Sequence, residues 1–250
     1  MALSLLTILN APVIELDTVD STNNYAMRLI DADKAQAGLT ITAEEQTKGK
    51  GQRGRHWKGM PGESLMMSII ASPDRALREI FLYNASIAVA VATYVSEICD
   101  DSEVNIKWPN DIIVNDKKAG GILLENVIRG NSWTYGVVGL GLNILQDNFP
   151  RELYNATSLR IATGKLFSIE KIRNQLRARI LQSLYKPMSA AQIVSDYNRL
   201  LYKRGQKQIF SDGNKFWEVR ILGALSDGSL QVARGTQILQ YMHGAQEWVW

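Results

Sequence analysis

Between Glu44 and Trp57 the chain reads Glu-Glu-Gln-Thr-Lys-Gly-Lys-Gly-Gln-Arg-Gly-Arg-His-Trp, setting three glycines among four Lys and Arg side chains. Gly49, Gly51 and Gly54 permit positive φ and let backbone lie close to a ligand. Lys48, Lys50, Arg53 and Arg55 supply positive charge, and amides freed in such a loop form an anion-binding nest. The chemistry this suits is the binding of an anionic small molecule, a phosphate or a carboxylate. No Gly-Lys-Ser/Thr closes the loop as in a Walker motif, and its glycines do not open the helix of a dinucleotide-binding turn. Taken alone, the stretch fits a ligand cradle and a solvated or nucleic-acid-facing loop equally well.

A second block narrows the choice. Lys107-Trp108-Pro109-Asn110-Asp111 makes a tight turn, Ile112 to Asn115 a short apolar strand, and Asn115-Asp116-Lys117-Lys118 a hairpin tip. Ala119-Gly120-Gly121-Ile122-Leu123-Leu124-Glu125 then forms the returning strand. Upstream stands Asp20-Ser21-Thr22-Asn23, and downstream Gly139-Leu140-Gly141-Leu142-Asn143. Together with the glycine-rich loop, these blocks resemble the biotin protein ligase family in content and in order. They extend over residues 20 to 143, and coincidence does not account for that many blocks in sequence.

The resemblance implies an α+β fold: a class II aminoacyl-tRNA-synthetase-like, biotin/lipoate ligase catalytic domain with a mixed sheet flanked by helices, followed by a small SH3-like β-barrel. It implies domains at 1–203 (biotin and ATP) and 204–250 (the barrel). It also implies a two-step reaction. Biotin's carboxylate attacks the α-phosphate of ATP, giving biotinyl-AMP and pyrophosphate; a lysine amine of a biotin carboxyl carrier protein then attacks the acyl carbon and releases AMP. The first step brings two anions together, so cationic screening is its main requirement.

Site residues follow by correspondence with the family's motifs. Ser21, Thr22, Asn23, Gln46, Gly49, Lys50, Gly51, Gln52, Lys118 and Gly121 are expected around biotin. Arg53, Arg55, Trp57, Asn110, Lys118 and Asn143 are expected around ATP, and Lys118, Lys50, Arg53, Arg55 and Asp111 in catalysis. Lys118 corresponds to the family lysine that meets both biotin carboxylate and phosphate. Several positions carry a second reading. Ser21 or Thr22 also reads as a helix N-cap, Trp57 as an adenine platform or a core tryptophan, and Asp111 as a group that positions or deprotonates the acceptor amine or as a turn lock. Mg²⁺ is implied by ATP and would be held mainly through phosphates; its protein ligands are unknown. Two departures stand out: Lys50 and Gln52 occupy positions where the family loop, Gly-Arg-Gly-Arg-x-Gly-Arg, has arginines. Lysine keeps the charge but loses the bidentate fork, and glutamine loses the charge.

Composition agrees with these expectations. At 250 residues, 46% hydrophobic and 21% charged, the chain suits one large and one small domain with a packed core. A net charge of +3 does not argue for nucleic acid. The single cysteine, Cys99, excludes an internal disulfide and fits a reducing cytoplasm. His56 and His243 are too few for a zinc centre, and no Ser-His-Asp set is evident. No signal peptide or membrane-spanning segment is expected, nor DNA binding through a preceding winged helix-turn-helix, because the Ser-Thr-Asn block begins near residue 20. Monomer and homodimer both remain admissible. A lipoate or octanoate ligase of the same superfamily is the alternative reading, and a non-catalytic RNA-gripping module the rival of another class.

Periodicity places strands at 13–18, 39–44, 64–71, 104–108, 111–115, 120–127 and 133–142, with a helix opening at Asp20 and running to about Ala35. Residues 79–98 are apolar all round and predict a buried helix. Residues 169–185 predict an amphipathic helix whose Lys171, Arg173, Arg177 and Arg179 read as a solvated face, and Ala190 to Tyr202 a further helix. Beyond Gly205, short strands alternate with Asp-Gly turns.

Overall fold

A computed structural model describes residues 4–73, 76–186 and 188–250. The chain begins with α1 (Leu5–Leu9), β1 (Val13–Val19), α2 (Thr22–Asp31), β2 (Thr40–Gln46), β3 (Ser64–Ala71) and α3 (Ile80–Ile98). Next come β4 (Val104–Lys107), β5 (Asp111–Val114), β6 (Lys117–Arg129), β7 (Ser132–Asn143), α4 (Leu159–Thr163), α5 (Ile169–Tyr185) and α6 (Ala190–Arg199). A second sheet holds β8 (Lys207–Ser211), β9 (Phe216–Ala224), β10 (Leu230–Arg234), β11 (Gln237–Tyr241) and β12 (Glu247–Trp248).

The first sheet has strand order β1-β2-β3-β7-β6-β5-β4, and its one parallel pair is β1 with β2, joined through α2. It is therefore the mixed sheet flanked by helices that the motifs imply. Alternation sorts its two faces. Leu65, Met67 and Ile69 of β3 join Val138, Leu140 and Leu142 of β7 in the main core, against α3 and α5. Ile70 and Val137 lie on the other face with Ala26 and Ile30 of α2. On that same face, toward the other end of β3 and β7, Ser68 stands opposite Gly139 and Met66 opposite Gly141, and Gly141 in turn stands opposite Gly121 of β6. A run of glycines thus leaves a shallow floor beside the N-terminus of α2.

The second sheet, ordered β11-β10-β9-β8-β12, is an antiparallel meander whose last strand returns to the first. Its apolar side, including Phe210, Val219, Ile221, Leu230 and Trp248, continues the main core through Leu201 and Tyr202.

Two expectations need correction. The helix after the Ser-Thr-Asn block ends at Asp31 rather than near Ala35, because Asp33 adopts a left-handed φ of 53°. The basic residues of α5 are not a uniformly solvated face. Arg177 is buried, and its guanidinium donates to the carbonyls of Leu9, Ala11 and Gly38 and to Thr40 Oγ1. Arg173 is buried as well and pairs with Glu15. The buried helix expected at 79–98 is α3: 77–98 is by length and composition apolar enough to cross a membrane, and the fold packs it between the sheet and helices α5 and α6.

Candidate active site

One cavity of about 300 Å³ lies where the glycine floor, the N-terminus of α2, the loop after β2 and the second sheet meet. It is lined by Ser21, Thr22, Asn23, Gln46, Lys50, Gly51, Gln52, Arg53, Arg55, Trp57, Asn110, Asp111, Lys118 and Gly121, all expected from sequence. Gly49 and Asn143 are not on its wall. A Cβ on Gly49 would run into the Trp57 carbonyl, so that glycine lets the loop close at its base, where Trp57 N–H donates to Gly49 O over 3.0 Å. Asn143 is buried behind the floor, its amide donating to Thr157 O over 3.1 Å.

The polar end of the cavity is made by α2. Ser21 occupies the N-cap position, but no side-chain cap bond forms. Thr22 instead donates its backbone N–H to Gln46 Oε1 at 2.7 Å, and its hydroxyl lies 2.7 Å from that of Ser68. Asn23 accepts from Ser68 Oγ at 2.6 Å and donates to Glu125 at 2.7 Å. Capping is thus not what these two side chains do. Asp20 closes the motif by holding Arg28 and Asn24, and the Arg28 guanidinium keeps its carboxyl far below the usual carboxylate range.

The charged end comes from the hairpin. Asn115 and Asp116 both take positive φ, 48° and 61°, as a tight two-residue turn between right-twisted strands demands. The β5–β6 register then slips, with Ile113 opposite Lys118 but Ile112 opposite Gly120, so Ala119 is an extra, bulged residue. That slip changes which face each side chain takes. Lys118 and Gly121, three apart, would face opposite ways in a regular strand; here both stand beside Asp111. The Lys118 ammonium lies 2.7 Å from Asp111 Oδ1, while Lys117 is exposed. The backbone at Lys118 is clamped by Asn155 O at 2.7 Å and Thr157 N at 2.9 Å. Asn110 ties the turn to β6, its side chain donating to Ile122 O and its carbonyl accepting from Ile122 N–H at 3.1 Å. The Trp108-Pro109 peptide is cis, and the Pro109 carbonyl accepts from Tyr197 at 3.0 Å and Asn84 at 3.3 Å.

The glycines of Gly139-Leu140-Gly141 line the cavity and make room there for two protein side chains. A Cβ on Gly139 would collide with the Asn23 amide, and one on Gly141 with the Trp57 indole. Trp57 is accordingly half-buried against the floor, with its Nε1 lacking a hydrogen-bond partner among the described residues, and it also borders the cavity. The basic loop leans on the second sheet through Arg53 to Gly244 O at 2.6 Å and Arg55 to Glu247 at 2.7 Å.

Sequence reasoning passed over several wall residues. Lys107 is buried, with its ammonium 3.6 Å from the Trp250 ring centroid and donating to Trp248 O at 3.2 Å. Burial pulls its pKa down to about 7, and Asp111 opposes the fall. His243 packs edge-on against Trp108, and burial lowers its pKa too. Lys107 stood inside a quoted motif, whereas His243, Glu247, Trp248 and Trp250 reach the site only through tertiary packing and have no local signature.

A profile of the biotin/lipoate A/B protein ligase family matches residues 15–143, just over half of the chain. The chain belongs to that family. Among biotin/lipoate ligase relatives, the bifunctional ligase/repressor BirA of Bacillus spizizenii is 36% identical over 156 residues, 61% of this chain and 47% of the relative. The biotin–[acetyl-CoA-carboxylase] ligase of Paracoccus denitrificans is 32% identical over 130 residues, 52% of this chain and 53% of the relative. The matched region thus spans about half the length of these curated relatives. A biotin protein ligase from Aquifex aeolicus, solved with biotin and ATP, superposes with a TM-score of 0.79 at 25% identity, covering 94% of this chain and 97% of that one.

Proposed function

We propose that this protein is an ATP-dependent biotin–protein ligase, which forms biotinyl-AMP and passes the biotinyl group to a lysine of a biotin carboxyl carrier protein in the cytoplasm. The observation that carries this reading is the two-ended cavity. Neutral hydrogen-bonding groups, Thr22, Asn23 and Gln46, make one end, with the Lys50 ammonium beside them on the Glu125 carboxylate that Asn23 also meets. The cations Lys118, Arg53 and Arg55 line the rest, toward the hairpin and the second sheet. A cyclic urea suits the first; a carboxylate meeting a triphosphate suits the second. The relatives named for biotin and the Aquifex structure with biotin and ATP support the same reading.

In the first step the Lys118 ammonium neutralises the attacking carboxylate and the α-phosphate together, and the loop cations stabilise charge moving onto pyrophosphate. Asp111 holds Lys118 in place beforehand. In the second step the acceptor amine must arrive uncharged; Asp111 is the cavity carboxylate beside Lys118 that can orient it and take its proton as the amide forms and AMP leaves. Mg²⁺ would enter on the nucleotide. No cluster of three His, Cys, Asp or Glu occurs among the described residues. The wall carboxylates Asp111 and Glu247 are already paired with Lys118 and Arg55, a donor set that fits a phosphate-borne ion and not a protein cage.

The deciding experiment incubates the protein with ATP and biotin, lipoate or octanoate, and follows pyrophosphate and then label transfer to a biotin carboxyl carrier domain. Release and transfer with biotin alone are expected. Turnover with lipoate or octanoate in its place moves the protein to the lipoate branch. No pyrophosphate with any of the three, together with salt-sensitive RNA binding, replaces the enzyme by a binding module.

A further inference from the structure

Glu125 lies behind the cavity, off its wall, yet both of its oxygens are engaged by residues that line it. Oε2 accepts from Asn23 Nδ2 at 2.7 Å, and Oε1 accepts from the Lys50 ammonium at 3.0 Å. Asn23 and Ser68 are buried, and the Glu125 side chain is 28% exposed.

Counting protons shows what this arrangement does. An ionised carboxylate only accepts, so Asn23 must present its NH₂ to Glu125 and its carbonyl to Ser68. The single Ser68 hydroxyl proton goes to that carbonyl. The Thr22 hydroxyl proton is then left to divide between Ser68 Oγ at 2.7 Å and Gln46 Oε1 at 3.1 Å. One carboxylate therefore sets the direction of a hydrogen-bonded chain through Asn23, Ser68, Thr22 and Gln46. Reversing the Asn23 amide would bring carbonyl to carboxylate. The same carboxylate tethers the basic loop by a charge-assisted bond to Lys50.

We propose that Glu125 is a positioning residue coupling the neutral end of the cavity to the loop: it orients Asn23 and holds Lys50 over the site, so ligand binding and loop order are linked. Linkage of this kind is reciprocal. The proposal rests on the biotin-ligase reading for its kinetic readout but not for its structural one.

The test is Glu125→Gln, which keeps the shape but offers one carbonyl to two donors. In the ligand-free protein, trypsin cleavage after Arg53 and Arg55 is expected to quicken about two- to fivefold, the effect of losing one partly exposed charge-assisted bond. KM for biotin should rise on the order of tenfold, since the buried Asn23 amide loses its charged acceptor, while kcat changes less than about threefold, a split that a general loss of folding does not produce. Lys50→Gln should speed the same cleavages, and adding Glu125→Gln to it should add little, since the two residues act through one contact. Unchanged cleavage in Glu125→Gln or in Lys50→Gln overturns the proposal, as does additive behaviour in the double variant. If wild type releases no pyrophosphate with biotin and ATP, the ligase reading fails while the trypsin comparison still decides the coupling.

Discussion

Asn23 and Gly139 share one space: the Asn23 amide rests on the face of β7 where any side chain at 139 would have to stand. This contact ties the Ser-Thr-Asn block to the Gly-x-Gly block, two motifs more than a hundred residues apart. Gly139→Ala must therefore push Asn23 off Ser68 and Glu125. The expected cost is about 1–3 kcal/mol, that of overpacking a closed site. The expected functional effect is weakened biotin binding with ATP binding retained. Urea unfolding and calorimetry with each ligand check this; native biotin affinity in the variant would show that Asn23 is not needed where it stands.

Lys118→Ala should remove adenylate formation while leaving the fold intact. The ammonium is about one third exposed and pairs with a carboxylate that is also partly exposed, so its contribution to stability is small. Its contribution to a step joining two anions is not: pyrophosphate release should fall on the order of 10²–10³-fold. Wild-type release in a folded Lys118→Ala protein takes that lysine out of the reaction.

The sequence disclosed the motif blocks and most strands because each rests on local rules. The Asn115-Asp116 tip demands positive φ, and β3 and β7 alternate cleanly between faces. The Lys-x-x-Gly spacing held a signal that local reading missed: two residues three apart share a face of one strand only when a bulge intervenes, and Ala119 is that bulge. Arg177 was misplaced because amphipathic periodicity grades arginine as solvent-seeking. Here α1 and the turn before β2 offer their free carbonyls, and a guanidinium is the side chain that satisfies them together. The wall formed by His243, Glu247, Trp248 and Trp250 arises from packing one sheet against another, which no stretch of sequence records.

Lys107 gives the protein a pH signature. Its folded pKa, about 7, lies below the value of about 10.4 for a lysine in an unfolded chain. Below pH 7 both states carry the proton, and the full cost of burying the ammonium is present. Above pH 7 the folded protein sheds the proton while the unfolded chain keeps it, so stability rises with pH by about 1 kcal/mol per unit. The window closes near pH 8.5, where the buried Cys99 thiol, pushed up to about 11, begins to act in the opposite sense. Urea midpoints from pH 7 to 8.5 should climb in wild type and flatten in Lys107→Met. An equal slope in both assigns the effect to other groups and leaves Lys107 charged against Trp250.

Gln52 is the position at which this loop departs most in charge from its family, and the structure puts it on the cavity wall, half-buried, at the head of a turn in which Arg53 takes a left-handed φ of 56°. With biotinyl-AMP bound as proposed, a neutral amide there would offer the phosphate an ordinary hydrogen bond, and an arginine a charge-assisted, two-pronged one. The difference, about 1–2 kcal/mol, corresponds to roughly tenfold in residence time. Gln52→Arg is therefore expected to lengthen the half-life of bound biotinyl-AMP about tenfold, and wild type to leak adenylate into solution when no acceptor is present. Chasing preformed labelled biotinyl-AMP with unlabelled biotin and ATP measures both rates. Equal half-lives would mean that the remaining cations, Lys50, Arg53, Arg55 and Lys118, already hold the phosphate as firmly as the site allows.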